Sequence, residues 1–270
     1  MNIRLTFYLL CYLLLLLGAC SPVAEKKPQH SLNLSVWYAG KPLRCNGFDD
    51  PQQHVWAIQQ LAFFVSNLSL KNAQQSESIS LLPSDWQTSD IALIRPFLQD
   101  CDSAIAGRAP LTDEYNSSVL FVSQISLSEA DTLTFDLAVP FTLNHQNPLV
   151  QPSPLNLPGM FWSWRRGHKF LRMDLQSTQG SWAFHLGSVG CEAVSSLRSP
   201  SSPCKQPNRL VFRLLKKKNQ QGKQLILHLD RLLEGITINP SASCLFHGSS
   251  AESCDRLLSN MQSNHIFEWN

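Results

Sequence analysis

Residues 133–139 read Leu133-Thr134-Phe135-Asp136-Leu137-Ala138-Val139, with a large apolar side chain at almost every second position. A β-strand repeats every two residues, so this spacing puts Leu133, Phe135, Leu137 and Val139 on one face. The other face is left for solvent or a second layer. The same alternation recurs at Leu32, Leu34, Val36 and Tyr38, at Trp182, Phe184 and Leu186, at Leu210, Phe212 and Leu214, and at Leu225, Leu227 and Leu229. Leu61 to Leu70 (LAFFVSNLSL) and Ser118 to Ser123 read as further strands. Helical periodicity is scarce. Ser249 and Glu252 form a capping box ahead of one short helix that runs through Met261. Pro148, Pro152, Pro154 and Pro158 make residues 148–158 an irregular loop. The expected fold is all-β: an antiparallel β-sandwich with long loops and a short C-terminal helix, and without internal repeats.

The N-terminus has a different character. Arg4 precedes an almost wholly apolar run from Leu5 to Leu17, too short to span a membrane comfortably. It ends in Leu17-Gly18-Ala19-Cys20, which resembles a bacterial lipobox. Residues 1–19 are therefore expected to be a lipoprotein signal peptide, with lipidation at Cys20. The alternative is ordinary secretory cleavage near Ala19. Several acyl chains on one residue anchor a protein far better than one chain does. Polar, Pro-containing residues 20–31 read as a tether, which leaves 32–270 for the β-domain. Ser21 after Cys20 fits an outer-membrane anchor facing the periplasm.

Lys and Arg number 22 against 20 Asp and Glu, so the chain is nearly balanced and carries no electrostatic signature of nucleic-acid binding. Lys216-Lys217-Lys218 reads as a solvated turn between strands. Beyond Cys20, the exported chain keeps Cys45, Cys101, Cys191, Cys204, Cys244 and Cys254. An even set in an oxidising compartment points to disulfides, with about 15 possible connectivities. Proximity favours Cys191–Cys204 and Cys244–Cys254 and leaves Cys45 with Cys101. Thiolate ligation of a soft metal is the alternative. Common enzyme signatures (GxSxG, P-loop, HExxH, GxGxxG) are absent, and no carboxylate pair stands out, so the chain is not read as an enzyme.

Three segments are not generic. Leu143-Asn144-His145 follows a strand end. Met160-Phe161-Trp162-Ser163-Trp164-Arg165-Arg166-Gly167-His168-Lys169-Phe170-Leu171-Arg172 is rich in aromatic and basic residues. His185-Leu186-Gly187-Ser188-Val189-Gly190-Cys191 is continued by Cys204-Lys205-Gln206-Pro207-Asn208-Arg209. In this order, with the C-terminal cysteine pair, they resemble the copper-binding MbnP-like family, the four-Cys partner of the metallo-mystery pair. The resemblance runs from about residue 32 to residue 260. It implies an exported β-rich protein that binds copper. It also implies a partner, a di-haem protein of the MauG or cytochrome c peroxidase type, which in relatives oxidises a tryptophan to kynurenine. Opening the indole ring turns a nitrogen that only donates hydrogen bonds into an aryl amine with a free lone pair. Such a nitrogen, with imidazoles, suits Cu(I).

The candidate ligands are His145 and His185, with Trp162 or Trp164 as the residue to be oxidised. In its strand, His185 points away from the face that Trp182, Phe184 and Leu186 bury. His168 stands where the family usually has Tyr. It is either an extra metal ligand or another polar-tipped ring in the same slot. Met160 and Met173 are possible thioether donors, but at strand spacing they read as packing. Two other classes remain open. Tryptophans on a β-sandwich suit an adhesion module that binds glycan or protein without metal, and His and Asp residues can converge into a catalytic site only in three dimensions.

Overall fold

A computed structural model describes residues 31–43, 47–73, 75–97, 119–122, 127–246, 252–263 and 265–270. The strands, in chain order, are β1 (Ser31–Tyr38), β2 (Lys41–Pro42), β3 (Phe48–Asp49), β4 (Val55–Lys71), β5 (Ser76–Ser78), β6 (Ile91–Ile94), β7 (Val119–Phe121), β8 (Thr132–Leu137), β9 (Phe161–Ser163), β10 (Gly167–Ser177), β11 (Gly180–Gly187), β12 (Leu210–Leu215), β13 (Gln224–His228) and β14 (Phe267–Trp269). The helices are α1 (Phe141–Asn144), α2 (Leu229–Leu232) and α3 (Glu252–Gln262). The signal and tether, apart from Ser31, lie outside the described residues, as do Cys20, Cys45, Cys101 and the Ser249 cap. Among the described residues no helix is long and apolar enough to cross a membrane.

Two sheets form. The larger follows the order β11–β10–β4–β8–β12, with β3, β5 and β6 also on β4 and β9 on β10. All its pairings are antiparallel. The smaller follows β14–β13–β1–β2, with β7 also on β1. Its β1–β13 pair is parallel, with Val36 opposite Leu227, a departure from the antiparallel expectation. Parallel neighbours need a long crossover, and here everything from Tyr38 to Gln224 supplies it.

The alternating strands behave as the sequence requires. In β12, Leu210, Phe212 and Leu214 are buried while Val211, Arg213 and Leu215 stay out. Phe267 of the smaller sheet meets three phenylalanines of the larger one: Phe212 at 4.8 Å, Phe135 at 5.2 Å and Phe63 at 5.9 Å between ring centroids. Each buried Phe contributes about 1.5–3 kcal/mol of transfer free energy, and edge-to-face pairs add about 0.5–1.5 kcal/mol. Phe267 is therefore a main pin between the layers.

Strand β4 lacks alternation because both its faces are covered. Leu61 through Ser66 are all buried. Phe63 turns toward the second sheet, whereas Phe64 meets His168 edge-on, 5.6 Å away. The outer face of β4 is thus roofed by residues from the 138–168 region, and that roof carries the candidate site. At the other end, Cys254, Leu257 and Met261 share the buried stripe of α3. The Cys244–Cys254 disulfide ties this helix down, and Asn260 Nδ2 donates to the carbonyls of Leu232 and Glu234, both at 2.9 Å.

Candidate metal centre

The site begins with a turn. Pro140, just after β8, has no N–H to compete and starts the single turn of α1, where the amides of Leu143 and Asn144 donate to its carbonyl at 2.9 and 2.8 Å. This turn sends Asn144 and His145 inward, and both are buried. The Asn144 carboxamide then joins two segments. Its Oδ1 accepts the main-chain N–H of His168 at 2.7 Å, and its Nδ2 lies 3.1 Å from His145 Nε2. Gly167 makes room for it. Its φ is +74°, and a Cβ there would sit 2.4 Å from Asn144 Oδ1.

The protonation of His145 follows from its neighbours. Nδ1 lies 3.1 Å from the Trp164 carbonyl oxygen, which can only accept, so Nδ1 carries the hydrogen. Nε2 is left as the lone-pair nitrogen. It takes the Asn144 hydrogen bond and lies 3.7 Å from Cys204 Sγ. Burial pushes the pKa of the ring down, with the bond to the Trp164 carbonyl opposing, so the imidazole is neutral near pH 7. Metal-binding histidines characteristically donate their second N–H to a carbonyl or carboxylate in this way.

Sulfur lies beside that nitrogen. The disulfide Cys191–Cys204 is formed, and the ligand atoms of His145, Cys191 and Cys204 all fall within 4.8 Å of one another. The disulfide Cys244–Cys254 is formed as well, so both pairings favoured by proximity are present. Ser199 Oγ donates to the His145 carbonyl at 2.7 Å, and the Arg165 amide donates to the Ser196 carbonyl at 3.2 Å. The loop between the two cysteines is thereby fastened over the site.

Trp164 completes this side. Its main chain holds His145, and its indole Nε1 is buried without a hydrogen-bond partner among the described residues. An orphaned buried donor is rare and costs about 1–3 kcal/mol. Trp162 is placed differently. Its ring fills the space where a Gly187 Cβ would stand, at 2.4 Å, and the Arg166 guanidinium lies 5.1 Å from its centroid. Trp162 and Trp164 are both half-buried.

His168 is wholly buried and both its nitrogens face oxygens. Nε2 is 2.9 Å from the Leu155 carbonyl, and Nδ1 is 3.2 Å from the Asn144 carbonyl. Phe64 and Phe161 stand edge-on to its ring. Burial lowers its pKa against the raising effect of those two hydrogen bonds. The ring is bonded into the roof as a polar-tipped aromatic. Met160 and Met173 are packed in the core.

His185 lies on β11 opposite Arg172, on the face away from Trp182, Phe184 and Leu186 as its strand position requires. Its Nε2 is 2.6 Å from Asp174 Oδ1, and Arg172 holds the other carboxylate oxygen at 2.6 and 2.7 Å. Burial works against the Asp174 charge. The hydrogen bond from His185 and the His185 and Arg172 charges outweigh it and hold the carboxyl below its ordinary range. Nε2 therefore donates, which leaves Nδ1 as the nitrogen that can offer a lone pair when the ring is neutral. His185 does not belong to the group formed by His145 and the two cysteines.

Two imidazoles, each fixed by an oxygen acceptor at one nitrogen, fit the chemistry of a soft or borderline cation at the other. Sequence reasoning missed Asp174 as the partner of His185. The signal was present, since Asp174 shares a face with Arg172 by period two.

A family model described as MbnP matches residues 27–246. The fold is similar to that of MbnP from Methylosinus trichosporium, at 19% identity and a TM-score of 0.71, covering 89% of this chain and 97% of that one. No curated protein matches the sequence.

Proposed function

The chain belongs to the MbnP family, and from that premise we propose that it is a copper-binding lipoprotein of the bacterial cell envelope. The observation that carries this reading is the pairing of His145 with Trp164. A buried neutral imidazole keeps a lone pair on Nε2 because Nδ1 is committed to the Trp164 carbonyl, and the indole nitrogen of the same tryptophan is buried and unpaired. His145 through Nε2 and His185 through Nδ1 would hold copper as cargo for storage, delivery or scavenging. A di-haem partner of the MauG type would oxidise Trp164 to kynurenine, whose amine adds a nitrogen lone pair that an intact indole lacks. The protein itself turns over no substrate on this reading. Cys20 would carry the lipid and hold the protein on the membrane, facing the periplasm.

The test is to produce the full chain with its di-haem partner and to measure copper per chain and intact mass. About one copper per chain and the mass of a kynurenine-containing protein are expected. His145→Ala should remove tight copper binding. Copper-free protein with unmodified tryptophans, made with an active partner, would overturn the reading.

A further inference from the structure

Main-chain hydrogen bonds bracket the Cys191–Cys204 pair in addition to the disulfide itself. Val189 and Gln206 exchange main-chain hydrogen bonds at 2.8 and 3.0 Å, and the Lys205 amide donates to the Gly190 carbonyl at 3.2 Å. These bonds clamp the chain on both sides of the cysteine pair, and Ser199 fastens the intervening loop to His145. His145 Nε2, the lone-pair nitrogen, lies 3.7 Å from Cys204 Sγ. The two described disulfides also differ in access. Cys244 and Cys254 are 0% and 3% exposed, whereas Cys191 is only partly buried.

We propose that reduction of Cys191–Cys204 converts this corner into a thiolate site for monovalent copper, with His145 Nε2 as the third donor. The choice of copper rests on the functional reading above; the site itself rests on the geometry of the three ligand atoms. A dithiol reductant supplies the electrons. One of its thiolates attacks Cys191 Sγ, the accessible sulfur, which breaks the disulfide and releases Cys204 as a thiolate. The second reductant thiolate then displaces Cys191, so the reductant leaves as a disulfide and two electrons have entered the protein. A copper ion arriving as Cu(I) binds both sulfurs and Nε2, and the protons of the two thiols go to solvent. No electron passes to or from the metal. Two thiolates and an imidazole are a soft set suited to Cu(I) at low coordination number.

The experiment titrates Cu(I) into the full chain against a chromophoric chelator, before and after treatment with a dithiol. Reduction should tighten binding by at least about tenfold and produce a thiolate-to-copper absorption in the near ultraviolet. Both effects should vanish in the Cys191→Ser/Cys204→Ser double variant and fall in His145→Ala. Alkylation of the reduced wild type, read cysteine by cysteine by mass spectrometry, needs no variant to fold: Cu(I) should protect Cys191 and Cys204. An unchanged affinity on reduction, or protection confined to other cysteines, overturns the proposal. Copper binding by the oxidised protein is a separate readout and stands or falls with the functional reading alone.

Discussion

The imidazole of His145 is bonded through Nδ1 to the main chain of Trp164 at 3.1 Å, nineteen positions along the sequence. One residue of the second aromatic segment thus sets the tautomer of the histidine in the first. Any cation taken by His145 meets Nε2, the nitrogen that faces Asn144 Nδ2 and Cys204 Sγ. The two tryptophans of this segment are therefore not equivalent.

Trp164→Phe is expected to abolish the kynurenine mass shift in protein made with the di-haem partner. Trp162→Phe should leave it in place, because Trp162 is packed over Gly187 and under Arg166. Peptide mapping of the two variants decides the matter. A shift that survives in Trp164→Phe and disappears in Trp162→Phe would reverse the assignment.

Asp174 offers a test of His185. Asp174→Asn removes the carboxylate that orients the ring and accepts from Nε2. Loss of such an outer partner typically lowers metal affinity about 10–100-fold. Copper titration of Asp174→Asn and His185→Ala should show the same direction of change. Wild-type affinity in both would remove His185 from the ligand set.

Gly167→Ala should destabilise the roof by about 1–3 kcal/mol, since alanine must adopt a positive φ there. Its methyl group also meets the Asn144 side chain, which supports both His145 and His168. Urea unfolding reads the loss. Asn144→Ala should lose a similar amount, about 1–3 kcal/mol, because the buried His168 amide is left without an acceptor. Wild-type midpoints in both variants would mean that this link carries no stability.

The pH dependence of stability has a definite sign. Burial holds the folded-state pKa of His145 and His168 below the unfolded value of about 6.5. Their contribution is whole above that pH and is lost as pH falls below it, because the unfolded chain takes up protons first. Asp50 and Asp174 sit below their ordinary range despite burial, so their contribution is present above about pH 4 and is lost on further acidification. Denaturant unfolding should show a plateau above neutrality, then a decline. His168→Tyr should make the decline between pH 6.5 and pH 5 shallower by up to about 1.4 kcal/mol per pH unit. An unchanged slope would acquit the buried ring.

Much of this fold is legible as alternation. Leu133, Phe135 and Leu137, or Leu210, Phe212 and Leu214, show period two because one face of each strand is buried and the other is not. Where both faces are covered the signal disappears. Ile91 to Ile94 are buried without exception, and β4 begins at Val55, ahead of the apolar run that announces it. Strands as short as β2 and β3 have too few residues for any period. The parallel β1–β13 pairing is a choice of neighbour, and periodicity does not encode neighbours. The site divides in the same way. His145, Trp164 and Cys191 stand in recognisable segments. The Asn144 bridge to His168 and the placement of the cysteine pair against His145 are contacts through space, made by chain reversals that no local pattern specifies.

The parallel β1–β13 pair has a kinetic consequence. Strand β1 can pair early with β2 and β7, but its parallel partner forms only when residues 224–228 are present, and the aromatic pin Phe267 arrives later still. Such high contact order makes folding slow and late, because loop-closure entropy is spent before the stabilising contacts form. A polypeptide that threads through a translocon must stay loose until most of it has emerged. With the export proposed above, a topology of this kind favours that delay.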